Sequence, residues 1–270
     1  MTWLAIETSD VRGSLALFDE SERVHEARFP GGMVHARHFA ACLDEMLGAR
    51  GLAPADLRGV AVSVGPGSYT GCRVGVTAAK SLSFALGIGV LEVSSLEAMA
   101  AQALREPPSD RTGWPATAAL APILDGRRGF FYTATFEADE HGRPRRLADD
   151  RVGDRSVVAG SVGRPSIVFG DGADVFLATA PDGDREGIVR GPAAWDAPRA
   201  SVLAELARPR MHRAELDLQV VHGLAPAYLR PSEPEIVYDQ RQAQRRGLVD
   251  GRTGPDESAG SHGSAGVGDR

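Results

Sequence analysis

The stretch Gly59-Val60-Ala61-Val62-Ser63-Val64, followed without a break by Gly65-Pro66-Gly67-Ser68-Tyr69-Thr70-Gly71, decides the fold. Its first half is a β-branched run with no polar alternation beyond Ser63, the pattern of a strand buried on both faces, and such strands are parallel and central. Its second half is a glycine-rich turn that opens a helix over about residues 72–86. Gly71, Gly75, Ala78 and Ala79 give that helix a face of small residues, which permits close backbone approach by a neighbour.

Outward from this stretch the pattern continues on both sides. Residues 89–93 read as another buried strand, and Ser94-Ser95-Leu96-Glu97 has the spacing of a capping box that opens a helix to about residue 104. Upstream, residues 3–6 and 14–18 are apolar runs around the polar turn Glu7-Thr8-Ser9-Asp10, and residues 23–29 add a third strand to an antiparallel meander. Residues 34–47 place Ala36, Phe39, Ala40, Leu43, Met46 and Leu47 at three- and four-residue spacing on one helix face, with Gly48 and Gly51 ending the helix. Downstream, Glu106-Pro107-Pro108-Ser109-Asp110 breaks the helical pattern and predicts a boundary between subdomains 1–105 and 106–235. Beyond it, residues 118–124 and 129–136 form a hairpin around Asp125-Gly126-Arg127-Arg128. Residues 139–155 read as a charged loop, 166–169 as a strand leading into Gly170-Asp171-Gly172, 200–206 as a helix, and 227–230 as a last short strand. From 239 on there is no aromatic residue, and glycine, serine and charge dominate, so residues 236–270 are expected to be a disordered tail.

Composition narrows the function. The 270 residues carry 30 Lys+Arg against 36 Asp+Glu, a net charge of −6, which lacks the basic footprint of a protein that binds nucleic acid alone. Two cysteines, Cys42 and Cys72, build neither a disulfide framework nor a multi-cysteine zinc site, so a cytoplasmic location is expected. The N-terminus lacks the basic region of a signal peptide, and the most apolar later stretch, residues 74–93, is interrupted by Lys80 and Glu92, so no membrane association is expected. Lys80 is the single lysine and reads as a snorkelling surface residue.

Two loops offer chemistry. Gly65, Gly67, Ser68, Thr70 and Gly71 lie between a strand and a helix start, where backbone N–H groups can cradle an anion; a tight turn made for close packing is the alternative. The loop is neither a Walker A motif, for no Gly-Lys-Ser/Thr follows, nor a Gly-x-Ser-x-Gly nucleophile elbow. Glu7, Thr8 and Ser9 occupy the first turn, where a carboxylate and hydroxyls can face a phosphate-bound metal, or simply close a hairpin. His35 and His38 share a helix face, but no third ligand is identifiable and no metal site is expected. Phe39, Leu43 and Met46, beside the Gly75 and Ala78 face of the next helix, give more apolar width than one sheet face needs, and predict a helical partner surface.

Three segments resemble the TsaB family, formerly YeaZ. They are Leu4-Ala5-Ile6-Glu7-Thr8-Ser9, the block from Ser63 through the glycine loop to Gly75, and Val93-Ser94-Ser95-Leu96-Glu97-Ala98-Met99. The Asp125-Gly126-Arg127-Arg128-Gly129, Phe169-Gly170-Asp171-Gly172-Ala173 and Pro226-Ala227-Tyr228-Leu229-Arg230 segments are similar to its weaker later signatures, and the resemblance covers about residues 3–235. It implies an α/β fold of two ribonuclease-H-like subdomains, the actin, Hsp70 and sugar-kinase (ASKHA) superfold, with mixed sheets flanked by helices. It also implies a non-catalytic partner of a TsaD homologue, the transferase that forms threonylcarbamoyladenosine beside the anticodon of tRNAs reading ANN codons. The TsaE ATPase joins that assembly, tRNA is met only through it, and a homodimer forms when TsaD is absent. No tightly bound cofactor is implied, and ATP or ADP enters only within the complex. Where TsaD-like sequences carry a metal-binding His-x-x-x-His, this chain has Ser95 and Met99, and neither replaces imidazole for a hard catalytic metal. Two other readings share the superfold: an ATP-dependent phosphotransferase working through the Glu7 turn and Gly65 loop, and a zinc peptidase, which the missing histidine pair disfavours.

Overall fold

The computed structural model describes residues 1–21, 23–29, 35–108, 110, 114–115, 117–181 and 183–229, with the side chains of 35 and 36 excepted. The expected tail, 236–270, and the His35 side chain lie outside the described residues.

Strands β1 (Thr2–Glu7), β2 (Ser14–Phe18) and β3 (Val24–Arg28) form the expected meander, and helix α1 (His35–Gly48) follows. Strand β4 (Leu57–Gly65), helix α2 (Tyr69–Leu86), strand β5 (Gly89–Ser94) and helix α3 (Ser95–Arg105) complete the first half. Their sheet has the order β3-β2-β1-β4-β5. β1 pairs antiparallel with β2 and parallel with β4, and β4 pairs parallel with β5. α2 begins three residues earlier than the spacing predicts because Ser68 caps it, its hydroxyl accepting the Gly71 N–H, and Gly87 ends it in the left-handed region at φ 66°. Ser94 caps α3 by accepting from the Glu97 N–H.

The second half repeats the plan. Strands β6 (Ala119–Asp125), β7 (Phe130–Ala138), β8 (Pro144–Asp154), β9 (Ser166–Phe169) and β10 (Ile188–Arg190) lie in the order β10-β9-β6-β7-β8, the same topology as the first sheet. Helices α4 (Arg155–Ser161) and α5 (Ala173–Ala178) flank β9 in sequence. The stretch read as a charged loop, residues 139–155, is therefore mostly the edge strand β8, paired antiparallel with β7. Its side chains alternate between exposed and half-buried, so no apolar alternation marks it, and charge on an exposed edge is how sheets avoid pairing with other chains. The expected strand at 227–230 is not formed among its described residues: the Ala227 N–H donates to the Val64 carbonyl at 2.7 Å without a ladder.

Period-two alternation explains why β1 and β4 lack a polar face. Leu4, Ile6, Val60 and Val62 point to one side, where α1 and α2 supply Leu43, Leu47, Val76 and Ala79. Trp3, Ala5 and Ala61 point to the other, where helix α6 (Ala200–Ala207) supplies Val202, Leu203 and Ala204. α6 follows the second sheet in sequence yet closes the first, so the segment beyond 200 packs with residues from before the 106 break. α3 does the converse: Leu96, Met99 and Ala103 pack with Leu120, Phe136 and Trp195 of the second half. After a 3-10 helix, Arg208–Arg213, and helix α7 (Leu218–Gly223), the chain runs along α2. His222 packs its ring edge-on to Phe84 at 5.2 Å, and Tyr228 reaches Tyr69 at 5.3 Å.

Candidate functional site

The two loops singled out in the sequence meet at the carboxyl ends of β1 and β4. Glu7, the last residue of β1, is fully buried; its Oε1 accepts from the Ser9 N–H and the Ser9 hydroxyl, both at 2.6 Å. Its Oε2 has no hydrogen-bond partner, and neither has the buried Ser63 Oγ. Burial lifts the Glu7 carboxyl from its ordinary 4.5 to about 7, with Asp10 adding to the shift and the bonds from Ser9 and the nearness of Ser63 opposing it. A protonated Glu7 has one O–H to donate, and Ser63 Oγ is the adjacent acceptor.

The glycine loop lies directly on this turn. The Ser68 N–H donates to the Ser9 carbonyl at 2.7 Å, and the Thr8 hydroxyl donates to the Gly71 carbonyl at 2.8 Å. A β-carbon on Gly67 would lie 2.5 Å from Ser9 O, and one on Gly75 would lie 2.4 Å from Thr8 Oγ1. The Ser95 hydroxyl donates to the Pro66 carbonyl from beneath. The Gly65–Gly71 loop was open to two readings, an anion cradle or a tight turn, and its Ser68 and Gly71 N–H groups meet oxygens of Ser9 and Ser68. Thr70, next in the loop, is exposed in the first turn of α2. Thr8 and the Ser9 carbonyl meet the loop, while Glu7 is bonded within its own turn. Gly67, Gly71 and Gly75 permit close packing of the loop and α2 on the first turn, one of the two readings of the loop.

The small-residue face of α2 divides between the core and the surface. Gly75 is buried against Thr8, Val62 and Ile6 of its own sheet, whereas Ala78 is half-buried on that core. Leu43, at 7% exposure, belongs to the core under α1, with Phe39 and Met46 half-buried at its margin. Cys72 is buried beside Glu7, and burial pushes its thiol up to about 12, which makes it inert as a nucleophile. Lys80 is half-buried and donates to the His222 carbonyl at 3.1 Å.

Across from these loops the second half presents the Asp125-Gly126-Arg127-Arg128 turn and the Gly170-Asp171-Gly172 turn, joined where Asp171 Oδ1 accepts the Asp125 N–H at 2.8 Å. Gly170 holds φ at 113°, and a β-carbon there would lie 2.3 Å from Ile123 O. Burial raises the Asp171 carboxyl above the usual carboxylate range. A bridge between the halves was not anticipated: Arg12 pairs with Asp10 at 2.8 Å and donates to the Asp196 carbonyl at 3.1 Å. The Asp196 carboxylate holds Arg190 at 2.7 Å and the Gly170 N–H at 2.6 Å. The partners stand up to 184 positions apart, and no spacing rule connects them. No group of three or more His, Cys, Asp or Glu among the described residues is placed to hold a metal. The positions compared with a metal-binding histidine pair are filled by Ser95, bonded to Pro66, and by Met99, fully buried in the second core.

Two five-stranded sheets of identical order, with their turns facing each other, define a protein of the ASKHA superfold. The family described as "TsaD: tRNA N6-adenosine threonylcarbamoyltransferase" matches residues 24–155. The tRNA threonylcarbamoyladenosine biosynthesis protein TsaB of Bacillus subtilis is 32% identical over 246 residues, covering 90% of this chain and 100% of that protein. Its Escherichia coli counterpart is 33% identical over 143 residues, 53% of this chain and 58% of that one. The solved structure of YeaZ from Pseudomonas aeruginosa shares the fold, with a TM-score of 0.67 at 24% identity, over 84% of this chain and 100% of that one. The chain belongs to the TsaB family, and its part in tRNA threonylcarbamoyladenosine biosynthesis follows from that membership. Among the described residues no helix is long and apolar enough to cross a membrane.

Proposed function

We propose that this chain is a non-catalytic subunit that binds a TsaD homologue, and through it TsaE and tRNA, in the assembly that forms threonylcarbamoyladenosine. One observation carries the reading: the Glu7–Ser9 turn and the Gly65–Gly71 loop, which enclose a reacting ligand if this half is an enzyme, are bonded to each other. ATP or ADP then belongs to the assembled complex rather than to the isolated chain, which works in the cytoplasm.

The partner surface is extended from the half-buried Phe39, Met46 and Ala78 to what stands exposed on α2 and beside it. Of the eleven large apolar side chains exposed among the described residues, six lie on α2 or on the segment that runs along it: Tyr69, Phe84, Leu216, Leu218, Val220 and Tyr228. A patch this concentrated on one helix and its neighbour suits a protein partner. The match of residues 24–155 to the TsaD family favours a TsaD homologue as its occupant, because paralogues offer one another related surfaces, and a second copy of this chain takes the same place when TsaD is absent. Mixing the purified chain with a TsaD homologue tests the reading. The expected result is a stable complex on size exclusion, with threonylcarbamoyl transfer to tRNA by the mixture and none by this chain alone; transfer by the chain alone, or no complex, overturns it.

A further inference from the structure

The strongest unassigned feature is a cavity of about 770 Å³ between the outer face of α3, the β7–β8 turn and the 3-10 helix that follows α6. Four arginines from these three elements line it: Arg105, Arg143, Arg208 and Arg210. Three acids accompany them, so the cavity carries one net positive charge in a chain whose total is −6.

The disposition of those acids matters more than their number. Glu205 is held by Arg105 at 2.5 Å, which neutralises that pair. Asp139 takes the backbone N–H groups of His141 and Arg143 at 2.8 and 2.7 Å. Arg208 and Arg210 donate only to neutral backbone carbonyls, those of Asp19 and Glu92, each at 3.0 Å. Such bonds fix a guanidinium in place without pairing it with a charge. Arg208 also acts on Glu205 from a distance and keeps its Nη2 buried without a partner, Glu97 is the third acid of the lining, and Arg210 has further N–H groups to offer. Among the described residues none of Arg143, Arg208 and Arg210 forms an ion pair with a carboxylate. Both η-positions of a guanidinium fork match the oxygens of a phosphate, the ligand for which clustered arginines from separate elements are suited.

We infer that this cavity binds a phosphate-bearing ligand through Arg143, Arg208 and Arg210, with Arg208 and Arg210 held by their carbonyl partners. The inference does not depend on the reading of the partner surface. A volume of this size takes several linked phosphate groups, as in an oligophosphate or a short run of RNA backbone; both present the same chemistry.

The test uses the full chain and two probes, inorganic tripolyphosphate by titration calorimetry and an unmodified tRNA transcript by fluorescence anisotropy. Arg143 and Arg210 are exposed, so the double variant R143E/R210E keeps the fold. A charge-matched control, R37E/R50E, changes two exposed arginines in and just after α1, on the far side of the first sheet from α6. The cavity variant is expected to lose tripolyphosphate binding at least tenfold and the control less than twofold, with a milder R143Q/R210Q variant in between. If the transcript displaces tripolyphosphate and follows the same order of loss, RNA is the source; if only tripolyphosphate binds, a small phosphate is. No tripolyphosphate binding by the parent, unchanged binding by the cavity variant, or equal loss in the control overturns the inference.

Discussion

The carbonyl oxygen of Thr8 stands where the side chain of residue 71 would begin: a β-carbon built on Gly71 lies 1.9 Å from it. The obstacle is backbone on both sides, since Thr8 belongs to the β1–β2 turn and Gly71 to the first turn of α2. Neither can yield without moving a helix off its sheet. Gly71→Ala is therefore expected to destabilise the protein by about 2–4 kcal/mol, the range of strained or overpacked core changes. Gly160→Ala, in α4 with nothing within 4 Å of its added carbon, is expected to be neutral or to stabilise by up to about 1 kcal/mol. Thermal melts of both variants check the contrast, and equal melting temperatures would contradict it.

Glu7 sets a pH dependence with an unusual sign for a carboxyl. Its folded value, about 7, lies above the unfolded one near 4.5, so between these values the folded state holds a proton that the unfolded state releases. The contribution is fully present below about pH 4.5, declines as pH rises, and is gone above about pH 7. Glu7→Gln keeps an acceptor for Ser9 and cannot ionise. Subtracting its melting curve from the parent's isolates this group from Asp171, whose carboxyl burial also raises. The variant is expected to gain on the parent progressively from pH 5 to about pH 7 and then level off, by a few kcal/mol in all at about 1.4 kcal/mol per unit. Parallel curves over that range would show that Glu7 titrates normally.

These two residues also show what was legible in the sequence. The strands, the three helices and the glycine loop of the first half could be read because burial on both sheet faces and helix caps leave local marks: the run Val60-Ala61-Val62, the Ser94 capping box and the stops at Gly48 and Gly51; the Ser68 cap, which starts α2 earlier, was missed inside the glycine loop. What the loop faces could not be read. A glycine that admits a phosphate and a glycine that admits the Thr8 carbonyl look alike in one dimension, and only the position of β1 separates them. β8 escaped because an edge strand with charge on one side and half-burial on the other has no apolar period. α6 was found as a helix but its sheet was not, because which face of which sheet it covers is decided by a return of the chain across 186 positions, from Ser14 to Ala200, where the Ser14 hydroxyl accepts the Ala200 N–H at 2.9 Å.

Asp196 is the joint between the halves. Its carboxylate accepts from Arg190 and from the Gly170 N–H, while its backbone carbonyl accepts from Arg12. Asp196→Ala leaves the Gly170 N–H without its acceptor and removes one of the two carboxylates on Arg190, which keeps Asp174 at 2.8 Å, a loss of about 1–3 kcal/mol. Asp196→Asn retains the acceptor for Gly170 but not the charge for Arg190, and is expected to lose less. Urea unfolding of the two variants measures the order; Asn as damaging as Ala would assign the whole effect to the ion pair.

The partner surface makes the sharpest distinction between positions that look alike in the sequence. Leu43 and Phe84 are both large apolar residues on the first two helices, yet Leu43 is 7% exposed and Phe84 48%. A carboxylate at 43 must enter the core between α1 and the sheet, where an unpaired charge costs several kcal/mol, so Leu43→Glu is expected to unfold the chain and cannot report on binding. A carboxylate at 84 remains in water in the free protein and loses that water only when a partner covers it. Phe84→Glu combined with Val220→Glu, whose own side chain is 46% exposed, should leave the melting temperature within a few degrees of the parent. Binding to the TsaD homologue should weaken at least a hundredfold, since each 1.4 kcal/mol of desolvation is about a factor of ten in affinity. Calorimetric titration against the homologue, with the melt as the control for folding, gives both numbers. Parent-like affinity in a folded double variant would place the partner elsewhere on the molecule.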